Sequence, residues 1–379
     1  MKNIIYYTGF YDVEGSNRMY ATPAVVKMNY IIDALNHAGY EVCVLSPSFL
    51  LKNNAYNLDK GGYKNINDYT RLWLPPSIGL RTKLGKIISA FISLLFWFVK
   101  LLKLRKDDTL IVYHTPIFSK PIRFAKRLKK FNLILEVEEI YTYAFSRDIK
   151  KLKGEISLIN SADKYILVND LMCGLLKINP KESVVCYGPY NMNDNVDAQD
   201  FNDNKIHIVY AGSFSRTKGG VYLAIEAAQF LPNKYVIHIL GFGNNNEIEE
   251  VKRVITKINK MSKCKVIYEG KMSGDDYHSF MKGCKIGLNP QIWGDYMLYA
   301  YPSKVLAYLN MGLNVITSPL ESLKVSKLND YLHYIDKESS ESLAEKILSI
   351  NLISREEIQS IITNLDNSFI QSIKRIIEK

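Results

Sequence analysis

The chain has no cysteine pairing to build on. Its five cysteines, Cys43, Cys173, Cys186, Cys264 and Cys284, are scattered and odd in number, and none stands at the two-residue spacing of metal or redox motifs. Reduced core thiols of a cytoplasmic protein are the expectation. No apolar run reaches the roughly 20 residues that cross a bilayer as a helix. The start, MKNIIYYTGFYDVEG, offers only a short apolar run before Thr8 and Gly9, so it reads as a first strand and its turn rather than an export signal. There is no low-complexity tract, and no internal repeat beyond a gross duplication of pattern described below.

What is present fits two globular domains. The 379 residues are 47% hydrophobic and 23% charged, enough apolar material for two cores of ordinary size. The net charge of +11 is unevenly placed. Residues 1–190 hold 27 Lys+Arg against 16 Asp+Glu, whereas residues 191–379 hold 22 of each. A basic half joined to a neutral one faces something anionic, either a membrane surface or nucleic acid.

Short β-branched runs alternate with amphipathic stretches along the whole chain, the signature of parallel strands joined by crossover helices. KNIIYYTG, EVCVLS, TLIVYH, LILEVEE, KYILVN and VVCYG read as strands of the first half. The polar stretch Asn191–Lys205 is the clearest linker. The pattern restarts with IHIVYAG and continues through YVIHILG, CKVIYEG, CKIGLNP and LNVITS. Two helices close the chain, roughly Ser340 to Ile350 and Arg355 to Ile377. An α/β architecture follows: a Rossmann-like domain over residues 1–190, a second over 205–365, and a final helix of about 366–379 packing back on the first.

One stretch, Ile87 to Leu102, is apolar apart from Ser89, Ser93 and Lys100 and is flanked by basic residues. It reads either as a helix lying in a lipid interface, with Ile87, Phe91, Leu95 and Trp97 meeting the membrane, or as a core helix. In the next helix Lys120, Arg123, Arg127 and Lys130 recur at steps of three and four, giving one basic face suited to anionic headgroups or to solvent.

Two places in the second half suit phosphate. In YAGSFSRTKGG a strand ends at Gly212, a helix begins near Gly219, and Arg216 and Lys218 add positive charge. In YAYPSKVLAYLNMGLNVITS, Pro302 opens a helix whose next residues, Ser303 and Lys304, bring a hydroxyl and a cation to its unpaired amides. Such a helix start holds a diphosphate without a metal.

These motifs, G-S-x-x-x-x-K-G between a strand and a helix, then P-S-K-hydrophobic-x-x-Y-hydrophobic-x-x-G, resemble the donor-binding half of GT-B glycosyltransferases. The likeness is to those assembling bacterial capsule, O-antigen and exopolysaccharide repeats. It implies a GT-B fold, two Rossmann-like domains with a cleft between them, and a hexosyltransferase-type activity that uses a nucleoside diphosphate sugar as substrate with no cofactor or metal. It places Gly212, Ser213, Arg216, Lys218 and Gly219 around the diphosphate and reacting sugar. Gly241, Tyr301, Pro302, Ser303 and Lys304 would complete that donor site, and the turn Tyr268 to Met272, with Lys271 and Met272, would border the base. Retaining members of the group carry two Glu residues where this chain has Tyr299 and Ala307. A similar loss occurs in transferases resembling galactofuranosyltransferases, which keep a Tyr four residues after the Lys, as Tyr308 stands here. No Asp-x-Asp stands in a strand-to-turn context. Asp107-Asp108 and Asp275-Asp276 are expected at helix starts, where capping explains them, and this disfavours the metal-dependent GT-A class.

In the first half, LEVEEIYTYAF sets Glu136, Glu138 and Glu139 at a strand end. Glu138 stands about where relatives hold a catalytic His, so Glu138 or Glu139 is expected to serve the sugar or the acceptor hydroxyl. Gly9 and His114, at two other strand ends, are candidates for the acceptor side. The implied partners are a nucleotide sugar, a lipid-linked or oligosaccharide acceptor and an anionic membrane surface, with the protein peripheral on the inner face of the plasma membrane. The rival is a non-catalytic nucleic-acid or sugar-nucleotide binding protein. Nucleic-acid binders interleave aromatics with their basic residues, whereas here the basic residues gather round an apolar helix, which favours the enzyme without nucleic acid.

Overall fold

The computed structural model describes residues 4–13, 17–51, 57–79, 82–141, 149–190, 196–215, 220–291 and 298–378. The chain divides into two compact units, Met1–Pro189 with Asn367–Lys379, and Tyr190–Asp366.

The first unit contains β1 (Ile4–Thr8), α1 (Thr22–His37), β2 (Glu41–Leu45), β3 (Asn57–Asp59), β4 (Gly62–Asn67), β5 (Thr70–Leu74) and β6 (Ser77–Gly79). It continues with α2 (Lys83–Leu101), β7 (Thr109–Tyr113), α3 (Ser119–Lys129), β8 (Asn132–Val137), α4 (Ile149–Ile159), β9 (Lys164–Leu167), α5 (Leu171–Leu175) and β10 (Ser183–Val185). Its sheet runs β10-β9-β8-β7-β1-β2-β5-β4, parallel except for the β4–β5 pair. The central strands are apolar and buried along nearly their whole length, as a sheet covered on both faces requires.

The second unit contains β11 (Ile206–Ser213), α6 (Val221–Glu226), β12 (Tyr235–Phe242), α7 (Asn245–Asn259), β13 (Lys265–Gly270), α8 (Gly274–Gly283) and β14 (Ile286–Asn289). After these come α9 (Ser303–Asn310), β15 (Asn314–Thr317), α10 (Glu321–Lys324), β16 (Leu332–Tyr334), α11 (Ser340–Ser349) and α12 (Arg355–Glu378), whose residues from Asn367 on belong to the first unit. The order β13-β12-β11-β14-β15-β16 is parallel throughout. Asn244 and Glu247 form a reciprocal capping box that fixes the start of α7. The end of α12 returns to the first unit, where Phe369 stacks on Tyr30 at 5.6 Å.

Several readings change. The second half of the linker is held against its own unit: Gln199 N–H donates to the Ser279 carbonyl at 2.9 Å, and Phe201 stacks on His207 at 3.8 Å. Asp107 and Asp108 stand in the turn before β7 rather than at a helix start, and the Asp108 carboxylate accepts from Arg105 N–H at 2.7 Å. Asp275 and Asp276 do lie in the first turn of α8.

The largest correction concerns α2. It starts at Lys83, four residues before the apolar run, where the Thr82 hydroxyl accepts from Gly85 N–H at 3.0 Å. Its inward face is Gly85, Ser89, Ser93, Trp97 and Leu101, spaced four apart. Ser89 bonds Ser77 at 2.8 Å, and Ser93 donates to the Pro76 carbonyl at 3.2 Å. Trp97 is therefore not a membrane residue: it is fully buried, donates from Nε1 to Thr8 Oγ1 at 2.8 Å and packs on Phe118 at 4.9 Å. Two of the three polar interruptions of the run, Ser89 and Ser93, face the core, while Ile87 (65% exposed), Phe91 (66%) and Leu95 (49%) face outward. By length and composition alone this helix could cross a membrane, but its inward face is bonded to the first unit. On α3, Lys120 and Arg127 are exposed and Arg123 is half-buried. Lys130 caps the helix in a left-handed conformation at φ 57°.

Candidate active site

In the second unit the chain starts at β11, moves outward to β12 and β13, then returns to the other side of β11 for β14, β15 and β16. Where the direction reverses, the loops leaving the carboxyl ends of adjacent strands diverge and open a crevice, the usual ligand position in such sheets. Here the flanking strands are β11, ending in Gly212 and Ser213, and β14, ending in Asn289. Both phosphate motifs of the sequence feed this point.

Three contacts lock the motifs together. Tyr308, on α9, is buried; its hydroxyl accepts from Ala211 N–H at 2.9 Å and lies 3.3 Å from the Leu288 carbonyl. The conformation of Gly220 brings it so close to Pro290 that an added Cβ would lie 1.8 Å from the Pro290 carbonyl oxygen. Lys304 folds over Gly212, where a Cβ would sit 2.2 Å from its ammonium nitrogen. Glycine at 212 therefore makes room for the cation at the strand end.

Lys304 Nζ lies 4.3 Å from the centre of the Tyr210 ring and 3.3 Å from its hydroxyl. Among the described residues no carboxylate pairs with it. Some of the side chain remains accessible, but burial of the ammonium lowers its pKa from 10.5 to about 8. A cation–π contact offsets part of that desolvation; an anion would offset far more. The described side chains around it supply none, and among them none caps the start of α9. Asn289 donates to Thr317 Oγ1 at 3.0 Å, and its buried Oδ1 has no donor among the described residues.

The other donor-site residues fall on the same carboxyl edge. Gly241 is the register partner of Gly212. Lys271 is exposed and Met272 half-buried just past β13. Tyr301 and Pro302 are buried, and Ser303 is exposed at the first position of α9. Ser213 Oγ accepts from Ser215 N–H at 3.2 Å, shaping the turn after β11. Arg216, Lys218 and Gly219 lie outside the described residues. The helix after them begins at Val221 and is only six residues long. Ala307 sits on α9 one turn beyond Ser303, so no carboxylate is present there. Neither Tyr210 nor Asn289 was singled out from the sequence, since each reads as an ordinary strand residue.

The first unit shows the same reversal between β1 and β7. Gly9 follows β1, and His114 follows β7. His114 is fully enclosed, with a ring nitrogen 3.6 Å from Glu155; burial lowers its pKa, leaving a neutral ring that cannot touch an acceptor in this conformation. Glu136, fully buried, accepts from the Tyr7 hydroxyl. Burial, then the neighbouring Glu138, pushes its carboxyl well above the usual range. It is a core group rather than one facing a ligand. Glu138, one step beyond the strand, is partly accessible and pairs with Lys27 at 3.1 Å. Lys27 itself is buried and donates to the Cys186 carbonyl at 2.7 Å. Burial opposes its charge, but Cys186, Glu138 and Glu136 together hold its pKa above the ordinary lysine range.

Two parallel sheets of this kind define the GT-B fold. The E. coli trehalose-6-phosphate structure bound with UDP-2-fluoro glucose aligns with TM-score 0.68 and 11% identity over 98% of this chain and 99% of that one. Sucrose-phosphate synthase from Thermosynechococcus elongatus gives 0.66 and 13% over 98% and 99%, and the lipopolysaccharide outer core galactosyltransferase WaaB 0.64 and 14% over 99% of both. Residues 205–351 match the family Glycosyl transferases group 1. The chain is thus an enzyme of the glycosyltransferase class, with residues 205–351 similar to its group 1 members. No curated protein sequence matches it.

Proposed function

We propose that the protein transfers a sugar from a nucleoside diphosphate sugar to a hydroxyl of a lipid-linked or oligosaccharide acceptor in bacterial surface polysaccharide synthesis. The observation that carries this reading is Lys304, an ammonium largely buried and with no carboxylate partner among the described residues, held over Gly212 at the reversal point of the sheet. A donor diphosphate is an anion that would offset the burial of this charge. In the reaction the bond between the anomeric carbon and the diphosphate oxygen breaks, and its electron pair leaves on the diphosphate. Lys304, with Arg216 and Lys218, stabilises that charge as it develops. The acceptor oxygen bonds to the anomeric carbon and gives up its proton, for which Glu138 or Glu139 is the proposed base.

The uneven charge and the outward apolar face of α2 support work at the inner face of a membrane. The direct test is a panel of nucleotide sugars incubated with the protein. One of them should be slowly hydrolysed by the wild type and much less by Lys304→Ala. A protein that neither binds nor hydrolyses any donor of the panel would overturn the reading.

A further inference from the structure

A groove of about 520 Å³ opens between α3 and α4, lined by Arg123, Lys126, Arg127 and Lys130 on one side and by Ser157 and Asn160 on the other. Among the described residues no carboxylate lines it. Lys126 is already engaged, paired with Asp163 and donating to the Phe131 carbonyl at 3.3 Å. The charge left to a ligand is that of Arg123, Arg127 and Lys130. Guanidinium forks, an ammonium, a hydroxyl and an amide around one cavity match the oxygens of a phosphate ester.

The surroundings say which kind of phosphate ester. Phe124 (54% exposed) and Leu128 (58%) stand on α3 beside the basic residues. Phe98 packs on Phe124 at 6.0 Å, joining this stripe to the outward face of α2, where Ile87 and Phe91 are about two-thirds exposed. A soluble phosphate has no use for this apolar surface, whereas a phospholipid in a bilayer meets both at once: headgroup to the groove, acyl region to the apolar face.

We propose that the groove between α3 and α4 binds the headgroup of an anionic phospholipid while the exposed face of α2 and α3 lies in the bilayer interface. The inference rests on the membrane-side reading of the enzyme and adds to it a defined site. Diffuse attraction would depend on total charge; a site depends on these three side chains.

The test uses the whole protein and phosphatidylcholine vesicles with and without phosphatidylglycerol. Wild type should sediment with the anionic vesicles and far less with the neutral ones. R123Q/R127Q/K130Q should bind anionic vesicles about a hundredfold more weakly, at about a factor of five per residue. K257Q/K260Q/K263Q, which removes the same charge from exposed positions of the other unit, should stay within a few-fold of wild type. Equal losses in the two triple variants would overturn the site, as would wild type ignoring anionic vesicles at low salt. F91S/F124S should weaken vesicle binding; if it does not, and free glycerol phosphate displaces the protein from vesicles, the groove takes a soluble anion and the lipid assignment fails. Donor hydrolysis, read in parallel, should be unchanged in R123Q/R127Q/K130Q. Its absence from wild type would count against the proposed activity and leave the vesicle result to decide the headgroup site.

Discussion

Replacing Lys304 with methionine keeps most of the side-chain volume and removes the buried charge. Burial lowers the lysine pKa from 10.5 to about 8, so keeping it charged in the empty protein costs up to about 3 kcal/mol at neutral pH. The partial accessibility of the side chain makes this an upper bound. Lys304→Met should therefore stabilise the ligand-free second unit, raising its melting temperature by several degrees at about 2 to 4 °C per kcal/mol. The gain should be full below pH 8 and fade as pH rises through 10.5, where the unfolded lysine also loses its proton. The same change should abolish the stabilisation that a nucleoside diphosphate gives wild type, about 2.7 kcal/mol at a hundredfold excess over Kd. Thermal unfolding with and without uridine diphosphate, across pH, reads both effects. A variant less stable when empty, yet equally stabilised by the nucleotide, would refute the reasoning.

Lys218→Ala and Lys304→Ala should each lower transfer by on the order of a hundredfold with the fold intact by circular dichroism, because each removes a cation facing the leaving diphosphate; wild-type turnover in both would remove the donor site. Activity should persist in excess chelator, and a complete loss restored by magnesium would contradict neutralisation by side chains and helix amides alone. Trp97→Ala should cost about 3 to 5 kcal/mol in denaturant unfolding as a buried aromatic with a hydrogen bond, whereas Phe91→Ser, on the outward face, should leave stability within about 0.5 kcal/mol. Similar losses from both would mean that α2 is buried on all sides.

The alternation of strands and helices was legible because parallel strands buried on both faces are nearly continuous apolar runs, and Pro302 marked the start of α9 through its fixed φ. Short, half-exposed strands were not: β4, with only Gly62 and Ile66 less than exposed among Gly62–Asn67, gives no periodic signal. The face of α2 was misread at Trp97 because hydrophobicity marks which residues are apolar, not which of them point inward; Ser89 and Ser93 are buried in the core, where their hydroxyls bond Ser77 and the Pro76 carbonyl. The motifs at Gly212 and Lys304 could be named from their spacing. Their contact depends on the strand order that sets β11 beside β14, a long-range property. So does the chain from exposed Asp203 through buried His207 and His238 to half-buried Glu269, linked by hydrogen bonds of 2.7 to 2.8 Å from the segment before β11 across to β13.

The claim that the donor diphosphate settles on Lys304 is tested most directly by counting protons. Calorimetric titration of the protein with uridine diphosphate at pH 8, repeated in buffers of different ionisation enthalpy, reports protons taken up on binding. With the free lysine near pKa 8, a diphosphate that restores its full charge should draw in about half a proton. That uptake should vanish in Lys304→Met. Tight binding with no proton uptake, or with the same uptake in the variant, would place the diphosphate elsewhere and contradict the account.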